Sequence, residues 1–454
     1  IDVLITTVKE AIEKAKVSKR DIIGIGLDFT SCTILPVDEK NIPLCSSERF
    51  KNEPHAYVKL WKHHGAQPQT DKITRLLEKR GEINNAQYGG KISPELMLPK
   101  ILQIVEEAPE IYKAADQILE AGDWLTQCIT GSKKRAADLA GYKAMWNQEK
   151  GYPQKDFLEE LNPLLTNLVE EKLSEDIVMA GESVGNLNKE WAEKLNLMEG
   201  IPVAATLIDS HAGIPGSGVV RPEQLMLVVG TSSVMLSPSS KEYFKNGIVS
   251  GVKGAIVPGY YVLESGIAAV GDMFGWFVDH MVSEEYAEKA KAEGKNLHVY
   301  LTEKASELKP GESGVVALDW WNGNKTPYVD GRLSGVLVGC TLNTKSEEIY
   351  RALIEATAFG TRKIVEMYKE ANPDIRMIIA SGGIAEKNPL FMQIYADVLN
   401  CEIRLSATDQ TAALGSAIYA AVAAGKADGG YDSVEEAVKN MSHLKEKKYT
   451  PISE

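Results

Sequence analysis

Asp209 closes an apolar run, Val203 to Ile208, and small residues and glycines follow it: Ala212, Gly213, Gly216 and Gly218. A carboxylate released at the tip of a strand-like run can take a proton from an attacking hydroxyl. A second apolar run, Leu225 to Val229, breaks into Gly230-Thr231-Ser232-Ser233. Such a turn offers backbone N–H groups and hydroxyls to phosphate oxygens, and its glycine adds no side-chain bulk. A third run, Ile378 to Ser381, ends in Gly382-Gly383 and leads into an amphipathic helix reaching Leu399. Paired glycines let a flat ligand or a phosphate approach the backbone, and a helix N-terminus favours anions. Acid, hydroxyl turn and glycine pair together suit phosphoryl transfer. Each also has a plainer explanation, a solvated aspartate or an ordinary turn between strand and helix.

Two further charged residues sit among small neighbours. Glu264 ends a strand-like run from Tyr260 and precedes Ser265 to Asp272, which is expected to open the aromatic helix MFGWFVDHM. It is either a cap-like acceptor or a ligand group. Lys143 lies in Ala140-Gly141-Tyr142-Lys143-Ala144-Met145-Trp146 and could meet a sugar hydroxyl or snorkel at the surface. His63 and His64, on an expected short helix from Trp61, lack a third metal ligand nearby, so no metal site is assigned.

The elements that must position these groups follow from periodicity. Val3 to Val17 predicts an amphipathic helix, and Ile22 to Leu27 a buried strand ending at Asp28. Phe29-Thr30-Ser31-Cys32-Thr33 then leads to a second strand, Ile34 to Val37, as a hairpin or a crossover. Tyr88-Gly89-Gly90-Lys91-Ile92-Ser93 predicts a turn before a helix to about Glu107, and Ala121 to Trp124 begins another helix. Ala412 to Ala421 predicts a small-residue helix able to pack closely and to serve as a hinge. With 454 residues, more than one domain is expected, and the Arg221-Pro222 turn is the boundary, giving 1–221 and 222–454. A net charge of −13 argues against a polyanion-binding surface. Five single cysteines without a CxxC point to reduced thiols and a cytoplasmic setting. No apolar run is long enough to predict a membrane span, and no signal peptide is evident.

The order of blocks carries a resemblance. An aspartate after an apolar strand, then GTSS, SGGIAEKNPLFMQIYADVL and DQTAALGSAIYAAVAAG, resembles the FGGY carbohydrate kinases over essentially the whole chain. That resemblance implies an α/β chain with the two-domain actin-like ATPase (ribonuclease H-like) fold, sugar and ATP lying in the interdomain cleft. Within the family, DFTSCTILPVDE, LWKHHGA, AGYKAMWN, GYYVLESGIAAVGDMFGWF and LDWWNGNKTP are similar to the branch that phosphorylates the ketopentose L-ribulose on O5 in L-arabinose catabolism. By that match Asp209 is the catalytic base, and Ser31, Lys143 and Glu264 line the ketopentose pocket with it. Gly230, Thr231 and Ser232 form a phosphate loop, and Gly382, Gly383 and Asn388 form the adenosine site. ATP and Mg²⁺ are the implied phosphate-donor pair. Nucleic acid and membrane are not expected as partners, and a homodimer is the assembly entertained.

The family begins with a strand, a DxGT phosphate turn and a second strand, and no such turn occurs in this chain. Asp28-Phe29-Thr30-Ser31 has a similar outline, but an amphipathic helix precedes it and its residues match the later sugar-pocket strand better. The first β-hairpin is therefore expected to be missing here. A non-catalytic or inactive sugar- or nucleotide-binding homologue or fragment, and a kinase for another pentulose such as xylulose, are the alternatives.

Overall fold

The computed structural model describes residues 1–82, 88 and 92–452; the turn expected at Gly89 to Lys91 lies outside them. The chain divides into two compact units, neither of them continuous in sequence. The first comprises 1–216, 251–262 and 410–442, and the second 217–250, 263–409 and 443–454.

In the second unit the apolar runs become the centre of a six-stranded sheet. Its order is Tyr261–Ile267, Ser233–Ser239, Gln224–Val229, Met377–Ser381, Glu402–Ser406 and Leu444–Tyr449. Gln224–Val229 and Met377–Ser381 run parallel, with Ile378 opposite Leu225 and Ala380 opposite Leu227. Both strands are apolar almost without a break because helices cover a central parallel strand on both faces. The 26-residue helix Ser346–Ala371 supplies one cover through Tyr350, Leu353, Ile354, Thr357, Ala358, Thr361, Ile364, Val365 and Tyr368. That spacing of three and four residues is one helical face. Each fully buried leucine or isoleucine in this core contributes about 1.5–3 kcal/mol.

The strand containing Glu264 runs from Tyr261 to Ile267, so the acid lies mid-strand and the helix begins only at Gly271. Gly266 explains the extension: a Cβ there would lie 2.1 Å from the Ser233 carbonyl oxygen, so only glycine lets the strands stay together.

The first unit has shorter strands. Asp28–Phe29 pairs in parallel with Leu207–Ile208, and Ile34–Val37 pairs antiparallel with Gln117–Glu120. The strand expected over Ile22 to Leu27 is reduced to one bridge, Ile25 to Val203. Gly24 and Gly26 lie instead against the helix Thr411–Ala424, where a Cβ on Gly26 would be 1.9 Å from the Ser416 carbonyl oxygen. The same helix packs closely on the helix Asp209–Gly216, since a Cβ on Gly415 would lie 1.7 Å from the Ala212 carbonyl oxygen. Its small residues therefore serve close packing. The N-terminal helix covers Asp2–Ala15, and residues 61–65 form turns rather than a helix.

Candidate functional site

In the first unit the register decides what surrounds Asp209. Phe29 is paired with Ile208, so the chain leaves the strand pair at Thr30 on one side and at Asp209 on the other. Ser31 follows, half-buried, and Cys32 takes a left-handed backbone conformation with φ 51°. The Thr30 and Thr33 hydroxyls meet at 2.8 Å and brace this turn. Asp209 begins the helix Asp209–Gly216, and its carboxylate accepts from the Ser210 N–H at 2.7 Å. The side chain reaches solvent, yet it is hemmed in by protein on several sides. Desolvation raises its pKa above the ordinary aspartate value, with Asp28 and Asp138 adding repulsion and the Ser210 N–H and His211 opposing. A carboxylate held in this way is a stronger base than a fully solvated one.

Lys143 is the last residue of the helix Ala137–Lys143. The start of that helix is pinned by buried Asp123, which accepts from Arg135 Nε at 3.0 Å and from the Ala136 N–H at 2.9 Å. Arg135 also donates to the Tyr152 hydroxyl at 3.0 Å, which satisfies a guanidinium with no exposure. Lys143 is half-buried, and its charge acts on Cys32, whose thiol burial pushes up to about 12. Ser31, Lys143 and Asp209 thus belong to one unit, set on a turn, the end of one helix and the start of another around the pair Asp28–Phe29 and Leu207–Ile208.

Glu264 belongs to the second unit, half-buried in its strand, with its backbone paired to Val249 at 2.7 Å and 2.9 Å. So do Gly230, Thr231 and Ser232 and the glycine pair. Because Gln224–Val229 and Met377–Ser381 are parallel neighbours, Gly230–Ser233 and Gly382-Gly383 leave the same sheet edge side by side. The first turn is closed by the Gly230 N–H donating to the Ser232 carbonyl at 2.9 Å. Its outer carbonyls are tied to the next helix: Gly230 accepts from Gly271 at 3.0 Å and Thr231 from Val270 at 2.8 Å. Thr231 is exposed.

The two glycines differ. Gly382 has φ 99° and ψ 160°, and a Cβ on it would lie 2.3 Å from the Val229 carbonyl oxygen. Gly383 has nothing within 4 Å of where a Cβ would stand. Gly382 is required by the fold, whereas the space over Gly383 is open to a ligand. Asn388 caps the helix Pro389–Leu399, its Oδ1 accepting from the Phe391 N–H at 3.0 Å and its Nδ2 donating to the Thr302 hydroxyl at 3.1 Å. Each end of that amide serves the fold through one bond, which leaves one N–H and one lone pair uncommitted in these contacts.

Two family models match the chain. The N-terminal domain of the FGGY family of carbohydrate kinases matches residues 1–216, and its C-terminal domain matches residues 225–424. The chain belongs to the FGGY family of carbohydrate kinases. ATP is the phosphate donor in that family. This FGGY kinase is 48% identical to a ribulokinase of Bacillus licheniformis over all 454 residues, which span 82% of that protein. It is equally identical, at 48%, to a ribulokinase of Halalkalibacterium halodurans, of which it covers 81%. In fold it is similar to a gluconate kinase from Lactobacillus acidophilus, with a TM-score of 0.80 at 16% identity over 99% of this chain and 84% of the other. A glycerol kinase from Plasmodium falciparum, solved with ADP, gives a TM-score of 0.78 at 17% identity over 99% of this chain and 84% of the other. These likenesses establish the two-domain actin-like fold.

Several charged residues around the FGGY kinase site escaped notice in the sequence. Asp138 and His211 form a buried pair behind Asp209, and Glu120 is a fully buried carboxylate beside Lys100 and Lys143. Burial pushes Glu120 up to about 7, although Arg135 and Lys100 pull it down. Lys100 donates to the Cys32 carbonyl at 2.5 Å and to the Leu60 carbonyl at 2.9 Å. The available signal was a charge alone among small and apolar neighbours, as Asp138 is in RAADLAGYKAMW. No group of metal ligands occurs among the described residues.

Proposed function

We propose that the chain transfers the γ-phosphoryl group of MgATP to O5 of L-ribulose. The observation that carries this is 48% identity to two ribulokinases along its whole length, which extends well beyond the motifs shared by all sugar kinases. Asp209 is the general base that takes the proton of the attacking hydroxyl. Its setting suits the role, because a desolvated carboxylate beside Asp28 binds a proton more readily than a free one. Ser31, Lys143 and Glu264 read the sugar hydroxyls and the carbonyl. Gly230, Thr231 and Ser232 hold phosphate oxygens, and the open face of Gly383 admits the nucleotide. A primary hydroxyl needs a base, while the transferred phosphoryl group needs positioning and charge neutralisation. Mg²⁺ enters with ATP as part of the substrate. Five free cysteines suit a reducing compartment such as the cytoplasm, and no helix among the described residues is long and apolar enough to cross a membrane.

A coupled ADP-release assay over L-ribulose, D-ribulose and D-xylulose tests the substrate, and L-ribulose should give the highest kcat/KM. Asp209→Asn should lower kcat by roughly 10²–10⁴-fold. In the wild type kcat should fall as pH drops through the raised Asp209 pKa, because only the ionised carboxylate accepts a proton. Near-normal turnover in Asp209→Asn would refute the base assignment, and preference for another pentulose would refute the substrate.

A further inference from the structure

Asp209 stands at a junction between the strand Leu207–Ile208 and the helix Asp209–Gly216, and one buried carboxylate grips both sides of it. Asp138 Oδ2 accepts from the Ile208 N–H at 2.8 Å, one residue before the base. Asp138 Oδ1 lies 2.7 Å from His211 Nδ1, two residues after it. Both side chains are 1% exposed, so neither contact is diluted by solvent. A carboxylate can only accept, so His211 Nδ1 carries the proton and donates it. The imidazole is held on another side by Tyr142, edge-on at 4.6 Å between ring centroids, and the Tyr142 hydroxyl donates to the Val262 carbonyl at 2.8 Å. Tyr142 in turn is boxed in by Gly251, where a Cβ would lie 1.9 Å from the ring. Asp138 has little freedom to adjust, because Asp123 fixes the start of its helix through Arg135 and the Ala136 N–H.

A buried polar contact of this kind adds little to stability over well-packed apolar side chains. This one ties together the two residues whose backbones aim Asp209, and its helix ends in Lys143. We infer that Asp138 and His211 are positioning residues that act through Asp209, holding the carboxylate at the attacking hydroxyl. The inference rests on Asp209 being the base. A displacement near 1 Å at a reacting group is enough to cost about 10²-fold in rate.

The test is steady-state kinetics of the intact chain with ATP and L-ribulose, alongside thermal denaturation. Asp138→Asn should fold and lower kcat by about 10- to 100-fold, with both KM values within about threefold of wild type. In an Asp209→Asn background, Asp138→Asn should cost no more than about twofold further, since a positioning residue has nothing left to position. Wild-type kcat in folded Asp138→Asn, or full multiplication of the two losses, overturns the inference. Near-normal turnover in Asp209→Asn alone overturns the base reading instead, and the inference falls with it. Should Asp138→Asn not fold, His211 variants decide. His211→Asn keeps an N–H for Asp138 and should retain at least about a third of kcat, with His211→Leu below about a tenth. Equal kcat in those two variants overturns the inference.

Discussion

The glycine pair at 382 and 383 offers a decisive perturbation, because its two members answer to different constraints. At Gly382 an alanine meets two obstacles. Its φ of 99° and ψ of 160° lie in a region that only glycine occupies readily, and a side chain held there costs about 1–3 kcal/mol. Its Cβ would also stand 2.3 Å from the Val229 carbonyl oxygen. Relieving that contact means moving the backbone at the base of the Gly230–Ser233 turn, at about 1–3 kcal/mol for an overpacked site. Gly382→Ala should therefore lose about 2–6 kcal/mol, a large part of the stability of an ordinary domain. Gly383 has no atom within 4 Å of a built Cβ and is the first residue of a helix, Gly383–Lys387. Alanine there should stay within about 1 kcal/mol of wild type, since alanine is the better helix former. Gly383→Val, however, places a branched side chain where the proposed function puts the nucleotide. Its ATP affinity should fall at least about tenfold, or 1.4 kcal/mol, with L-ribulose binding unchanged. Thermal denaturation of all three variants, with calorimetric titration of each ligand, separates these outcomes. Wild-type stability in Gly382→Ala would refute the steric argument. A folded Gly383→Val that binds ATP normally would refute the nucleotide placement, and equal loss of both ligands would indicate unfolding.

Two further outcomes can be measured with the same methods. Glu120 is fully buried and raised to about 7 from an unfolded value of 4.5, chiefly by desolvation. The folded state then holds the extra proton between those values, so this group's favourable contribution is present below pH 4.5 and lost as pH rises through 7. Glu120→Gln removes that loss, and at pH 8 it should be more stable than wild type by up to about 3 kcal/mol, a gain that shrinks at pH 5. Denaturation at the two pH values checks it, and an equal effect at both would exclude titration of Glu120 as the cause. Lys143→Met and Glu264→Gln should each weaken L-ribulose binding by about 1.5–3 kcal/mol while ATP affinity and Tm barely change. Unchanged ribulose affinity in both would remove them from the sugar pocket.

Much of this protein is local in sequence, and that part can be read without coordinates. Leu225 to Val229 and Ile378 to Ser381 form strands because unbroken apolar runs of that length are stable only when covered on both sides. A chain leaving such a strand must turn at once, so Asp209, Gly230 and Gly382 come to lie at strand ends. The family, too, is legible in the blocks that follow one another along the chain. What the sequence could not decide is which residues meet across long separations. Asp138 lies 73 residues from His211, and nothing in either segment marks the other as its partner. Glu120 looks like a surface charge until the pairing of Gln117–Glu120 with Ile34–Val37 buries it. The acid at 264 stays mid-strand because Gly266 lets its strand pass the Ser233 carbonyl. The glycines at 382 and 383 are indistinguishable by type, and only the Val229 backbone beside one of them makes the first a requirement of the fold. Periodicity and turn chemistry act between neighbours in the chain, whereas burial, pKa and the aim of a side chain depend on whatever the fold brings alongside.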